Sequence, residues 1–344
     1  MPSWWRPRPG PAVRRWSTAR QPRNDVWRRS WVGRPDFAGR HRPKESKILG
    51  RRTLLTAGTA TATALLASAP AHATTHRPRE LGQLEQLERL ERQHGARLGV
   101  FAHNVRTKRT VAHRAGERFP ICSVFKTLVA GAVLRDLDRH GEVLARRIHY
   151  RREDLVDGAP VTGTEEHLAG GMTVAELCDA AIRYSDNSAA NFLLRLLGGP
   201  TAITRFARSL GDGVTRLDRW EPELNSAEPG RVTDTTSPRA IGGTYGRLVV
   251  GDALNRPDRD RLTHWLLNNT TGDHRIRAGV PASWTVGDKT GSGSYGTTND
   301  VGVAWTPDGA PVVLAVLSTK PAPDAAWDDA LIAEATAVVV DALA

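Results

Sequence analysis

The sequence predicts an α/β fold of the α+β type, with one antiparallel sheet built from both ends of the folded region and helices filling the middle. Three observations carry that expectation. Alternating apolar residues, the period of a half-buried strand, occur at 98–103 near the front and at 301–305 and 311–317 near the back. The stretch from about 121 to 269 is governed instead by helical periodicity with glycine and proline stops. Helical segments at 81–94 and 324–343 flank the strands and suit the covering of a sheet face.

The 344-residue chain carries a formal net charge of +11, but the charge is concentrated. Residues 1–73 hold 15 of the 48 Lys and Arg residues and only 3 of the 37 Asp and Glu residues. The remainder is nearly neutral and has no basic tract to follow a phosphate backbone, so no nucleic-acid partner is expected. Residues 1–45 are rich in Arg, Pro and Trp without period, and read as a disordered basic extension or a misplaced start. Residues 46–73 read as an export signal peptide: Arg51-Arg52, an uncharged soft stretch at 56–69, and Ala71-His72-Ala73 as a small-x-small cleavage site. The paired arginines resemble a twin-arginine signal. The apolar stretch is too short and soft for a membrane span. A secreted protein is therefore expected, in the extracellular or cell-wall space. It would be cleaved near Ala73-Thr74, with the export machinery as the leader's partner and residues 74–344 as a monomeric folded domain.

Within that domain, Leu81, Leu84, Leu87 and Leu90 recur at helical spacing. A strand at 98–103, a turn at 104–108 and a short strand at 110–113 follow. Next comes Ile121-Cys-Ser-Val-Phe-Lys126 opening into an apolar run, a loop entering a buried helix. Residues 146–171 are broken by glycines and Pro160 and read mostly as loop. Thr173 with Glu176 makes a capping box for the next helix. That helix reaches the polar group 184–188, then helix resumes at 189–197 until Gly198-Gly199-Pro200 stops it. Another helix covers 201–210. Residues 216–236 lack any period, and a loop of that length is usually functional. Helices at 238–251 and 258–267, a strand at 285–292 and a hairpin around 306–310 precede the last helix.

The polar residues that interrupt these apolar patterns carry the chemistry. Ser123 and Lys126 lie three apart, on one face of a helix. A partly desolvated lysine can accept a hydroxyl proton, although a helix cap and a solvent-seeking lysine would suit the same pair. Cys122 and Cys178 look like small buried hydrophobes and supply no disulfide framework. No metal-ligand spacing occurs, and neither a metal nor a cofactor is expected.

Taken in order, Ser123-Val-Phe-Lys126, Ser185-Asp186-Asn187 and Lys289-Thr290-Gly291 resemble the signature of the serine penicillin-recognising enzymes. Glu221-Pro-Glu-Leu-Asn225 narrows the resemblance to the class A β-lactamases. The resemblance implies a five-stranded antiparallel sheet flanked by helices, an α/β lobe at about 81–120 and 270–344, a helical lobe at about 121–269, and an active site at their seam. It also implies a small-molecule β-lactam as substrate. Ser123 would be the nucleophile, with Lys126 or Glu221 taking its proton. The backbone N–H groups of Ser123 and Ser292 would form the oxyanion hole. Ser185 and Lys289 would deliver a proton to the leaving nitrogen. Lys289, Thr290, Gly291 and Ser292 would hold the substrate carboxylate, and Asn187 its side-chain amide. Glu221 and Asn225 would position and activate the deacylating water. A cis peptide at Glu221-Pro222 and an Arg219–Asp234 pair would brace the loop, and Asp186 would bond backbone near its own turn.

A D-alanyl-D-alanine carboxypeptidase or transpeptidase of the same superfamily would explain the three shared motifs but leave Glu221 and Asn225 idle. Three departures from the family pattern bear on substrate range. Thr298 stands near the place of a common carboxylate-binding arginine, and Arg275 matches an alternative one. Gly158 replaces a frequent rim aromatic, and the following stretch is longer. Gly293 and Ala130 stand where relatives place cysteine partners for Cys122 and Cys178, which leaves both thiols free.

Overall fold

The computed structural model describes residues 76–343, so the expectations for the extension, the signal peptide and its cleavage site lie outside the described residues. The helices are α1 (His76–His94), α2 (Lys126–Ala132), α3 (Glu142–Ala145), α4 (Glu165–Gly170), α5 (Val174–Arg183), α6 (Asn187–Leu197), α7 (Thr201–Ser209), α8 (Pro238–Val249), α9 (Arg256–Leu267), α10 (Ile276–Gly279) and α11 (Asp329–Leu343). The strands are β1 (Arg97–Asn104), β2 (Thr110–His113), β3 (Phe119–Pro120), β4 (Arg147–Ile148), β5 (Met172–Thr173), β6 (Thr235–Thr236), β7 (Thr285–Ser292), β8 (Thr298–Trp305) and β9 (Pro311–Thr319).

The expected five-stranded antiparallel sheet is present, in the order β2-β1-β9-β8-β7. Strands from both ends meet at β9, where Ala315 pairs with Phe101 on one side and Val301 on the other. The apolar run 312–317 is buried throughout because both faces of β9 are covered. On one face Leu87 of α1 and Leu331, Ile332 and Val339 of α11 pack with Val100, Leu314 and Val316. On the other, α8 lies against Phe101 and Ala315. Among the described residues no helix is long and apolar enough to cross a membrane.

Three local expectations are corrected. The last helix starts at Asp329 rather than 324, because the Asp328 carboxylate accepts the Leu331 N–H at 3.0 Å and so caps the helix there. The stretch 146–171 is less of a loop than its glycines suggest: it holds α4, capped by Thr164, and part of the β4–β5 pair. The buried helix behind Ser123 is compound, with a 3₁₀ turn at Cys122–Phe125 before α2 and a π turn at Val133–Leu137 after it.

Candidate active site

Ser123 and Lys126 sit at the joint between the 3₁₀ turn and α2, whose residues are all buried. An apolar helix in this position forces the lysine to find polar partners inside the protein. Lys126 Nζ donates to the Ser185 carbonyl at 2.7 Å and to Asn187 Oδ1 at 2.6 Å, with Ser185 Oγ at 3.4 Å. It also stands 3.1 Å from Glu221 Oε1. Burial pushes the pKa of Lys126 down, and the neighbouring Glu221 carboxylate opposes that shift. Ser123 Oγ donates to the same Glu221 oxygen at 3.3 Å.

The turn between α5 and α6 supplies Ser185, Asp186 and Asn187. Ser185 has a positive φ of 56°, which points its carbonyl and hydroxyl to one amine. Asp186 caps α6 through the Ala189 N–H at 2.8 Å. Its reach is wider than its own turn, a correction to the local role expected: it also accepts from the Val161 and Thr162 N–H groups and the Thr162 hydroxyl. Asn187 links Lys126 to the Asp157 carbonyl, to which its Nδ2 donates at 2.8 Å.

Glu221 is only 1% exposed although it lies on the irregular segment between α7 and β6. Its side chain and peptide are held by hydrogen bonds. Asn225 Nδ2 donates to Oε2, leaving Oε1 to face Ser123 and Lys126. The Glu221-Pro222 peptide is cis. Asn191 of α6 brackets the Glu221 peptide: Nδ2 donates to the Glu221 carbonyl at 2.8 Å and Oδ1 accepts the Glu221 N–H at 3.0 Å. Asp234 closes the loop at its base, taking Arg219 Nε at 2.6 Å and the N–H groups of Asp218 and Arg219.

Strand β7 brings the third motif alongside. Gly291 packs against the turn of Ser123 so closely that a Cβ there would stand 3.1 Å from the Ser123 nitrogen, which favours glycine. Lys289 is fully buried, and its Nζ donates to the Thr290 carbonyl at 2.9 Å. Burial, together with repulsion from Lys126, lowers its pKa to about 7. Thr290 Oγ1 shares a hydrogen bond with Thr271 Oγ1. Arg275, 5% exposed, donates to the Gly291 and Asn299 carbonyls at 3.1 and 2.8 Å and to Ser292 Oγ at 2.8 Å, while Asp329 pairs with its Nε at 2.7 Å. It braces the end of β7 as well as adding charge. Thr298 is buried beneath, bonded to the Gly296 carbonyl and the Asp328 N–H.

At the rim, Gly158 has φ +81°, and a Cβ there would lie 2.6 Å from Asn187 Nδ2. An aromatic residue at this place would push directly on a ligand of Lys126. Both cysteines are free and buried, and burial raises both thiol pKa values.

The structure thus brings Ser123, Lys126, Ser185, Asn187 and Glu221 into one hydrogen-bonded group, with Asn225 behind Glu221. It places β7 against the turn of Ser123. Sequence reasoning passed over Asn191, Thr271 and Asp329. Asn191 had a readable signal, standing four residues after Asn187 and so on the same face of an otherwise apolar helix. The other two show themselves only when distant segments meet. Chemically, the group offers a hydroxyl, a buried acid–base pair within reach of it, and nearby cations that suit an anionic substrate.

Comparison with known proteins agrees with this arrangement. A family model described as "Beta-lactamase enzyme family" matches residues 84–343. A β-lactamase of Streptomyces fradiae is 60% identical over 298 residues, spanning 85% of this chain and 96% of that protein. One from Streptomyces lavendulae is 63% identical over 262 residues, spanning 76% of this chain and 86% of that protein. The solved β-lactamase from Streptomyces albus G superposes with a TM-score of 0.76 at 63% identity, covering 76% of this chain and all of that one.

Proposed function

This chain belongs to the β-lactamase enzyme family, within class A, and on that premise we propose that it opens the β-lactam amide through an acyl-enzyme on Ser123. Ser123 Oγ attacks the carbonyl carbon, and its proton passes to the Lys126–Glu221 pair, whose shared oxygen lies 3.3 Å from the hydroxyl and 3.1 Å from the amine. Negative charge develops on the carbonyl oxygen beside the backbone N–H groups of Ser123 and Ser292. The C–N bond then breaks, and the departing nitrogen takes a proton relayed from Lys126 through Ser185. Lys289, Thr290, Ser292 and Arg275 hold the ring carboxylate, and Asn187 the acyl amide. In the second half, a water set between Glu221 and Asn225 gives its proton to Glu221 and attacks the acyl carbon, and Ser123 leaves reprotonated.

The observation that carries this reading is the placement of Glu221, a buried carboxylate in hydrogen-bond contact with the nucleophile itself. A penicillin-binding peptidase has no use for that contact. Steady turnover of a chromogenic cephalosporin tests it: repeated turnover by the wild type, lost in Ser123→Ala, is expected. A single burst of one equivalent, followed by a lasting adduct, would instead mean a peptidase. We further propose that the leader exports the protein, that it is cleaved near Ala73-Thr74, and that residues 74–344 act as a monomer outside the cell, where β-lactams arrive.

A further inference from the structure

Strands β7 and β8 form the floor on which the turn of Ser123 rests, and two opposed residues shape that floor. Gly291 pairs with Asn299 across the strands, so their side-chain positions lie on one face of the sheet. At Gly291 the position is empty, and the turn comes down until the Ser123 nitrogen is 3.1 Å from where a Cβ would stand. At Asn299 the position holds an amide that grips the same turn. Asn299 is fully buried, and its Nδ2 donates to the Pro120 carbonyl at 2.9 Å and to the Ile121 carbonyl at 3.3 Å. The reversed amide would set Oδ1 against two carbonyl oxygens, so these acceptors fix which way it faces. Oδ1 itself is buried with no partner. An unmet buried acceptor costs stability, and an apolar residue of similar shape would avoid that cost while leaving the two carbonyls ungripped.

The grip falls beside a strained residue. Cys122, which separates the two held carbonyls from Ser123, has φ +43°, a conformation disfavoured for any residue with a Cβ. Such a residue keeps its conformation only where its surroundings over-determine it. Relaxation about its N–Cα bond would swing the Cys122–Ser123 peptide and with it the Ser123 N–H. The chain ahead of Cys122 is held from two sides. The Ile121 N–H donates to the Asp234 carbonyl at 2.8 Å, and Asn299 holds the carbonyls of Pro120 and Ile121. Arg275 ties the floor together by donating to the backbone carbonyls of both Gly291 and Asn299.

We propose that Asn299 is a positioning residue for acylation: its amide fixes the peptide plane ahead of Cys122 and so aims the Ser123 N–H at the carbonyl oxygen of the substrate. This role rests on the acyl-enzyme reading above, in which that N–H is half of the oxyanion hole. Asn299 touches neither the substrate nor the reacting atoms and acts through the backbone of the turn.

Glu221→Ala, whose acyl-enzyme should persist, supplies the ester carbonyl for infrared difference spectroscopy. A carbonyl that accepts hydrogen bonds absorbs at lower frequency than a free one. Adding Asn299→Leu, which donates nothing, should therefore move the band to higher frequency. In the wild-type background, Asn299→Leu should slow the acylation step about 10- to 100-fold, less than outright loss of an oxyanion donor, with substrate Kd changed by less than about threefold. Stopped-flow saturation kinetics separate the two constants. Asn299→Ala carries the same test should the leucine variant lack native circular dichroism. An unmoved band with acylation within about twofold of wild type, in either variant with native circular dichroism, overturns the proposal even where Tm has fallen. Absence of any Ser123 adduct in Glu221→Ala itself overturns the acyl-enzyme reading, and this role with it.

Discussion

Glu221 Oε1 stands 3.1 Å from Lys126 Nζ, and both side chains are fully shut away from solvent. The pair joins a lysine whose charge burial opposes to a carboxylate brought from a loop ninety-five positions further along the chain. Each partner's position depends on a separate scaffold, and the expected effects of substitution follow from those scaffolds.

Asn191 holds the Glu221 peptide with two hydrogen bonds. Asn191→Ala should slow deacylation about 10- to 100-fold, about 1.4–2.7 kcal/mol, while leaving acylation nearly unchanged. Stopped-flow measurement of the two half-reactions checks this. Equal slowing of both would show that Asn191 supports the whole site rather than the loop.

Arg219→Ala leaves the Asp234 carboxylate buried without its ion-pair partner, since Asp234 is only 1% exposed. A stability loss of about 2–3 kcal/mol is expected in urea unfolding, read as a lower midpoint at constant slope. Arg219→Lys should recover only part of it, because one ammonium cannot reach both Asp234 and Ser226.

Lys289 gives a pH signature. With its pKa lowered to about 7, the free enzyme carries this cation below that pH and loses it above. Since kcat/KM reports the free enzyme, it should fall on the alkaline side of about pH 7, whereas Lys289→Arg should hold its value to higher pH. The stability sign follows from linkage. Between about 7 and the ordinary 10.5, the unfolded chain binds this proton and the folded one does not. The cost of burying the charge is thus present in full below pH 7 and relieved as pH rises. Lys289→Met should be more stable than wild type at acid pH, with the gap closing toward the alkaline end, as Tm against pH will show.

Gly158→Tyr tests the rim. The new side chain meets Asn187 and requires a residue with positive φ. A rise in KM and a disturbed Lys126 are expected instead of a tighter grip on the substrate. Gly158→Ala carries the same Cβ contact and positive φ, so penicillin and cephalosporin KM values for the two variants separate those effects from that of the added ring.

Much of this was legible in the sequence because it is written in short-range patterns. The capping box at Thr173, the strand 285–292 and the three motifs each lie within a few residues, and the structure places the motifs in contact. What escaped depends on chain segments that meet only after folding. Asn191 falls within the helix expected at 189–197 without standing out, and Arg275 reads as a charge for the substrate, although it also staples two strands and pairs with Asp329. The start of α11 was misplaced because the charged, proline-spaced approach at 321–328 gives no periodic signal, and the cap at Asp328 decides it.

On the proposed mechanism, Glu221 frees the enzyme from its acyl intermediate. Glu221→Ala should therefore be incubated with a penicillin and followed by intact mass. An adduct of one substrate on Ser123 is expected to persist far longer than in the wild type, with kcat lowered by about 10²- to 10⁴-fold, the usual size of a general-base contribution. If the variant shows no adduct, or if it turns over as fast as the wild type, Glu221 is not the deacylating base.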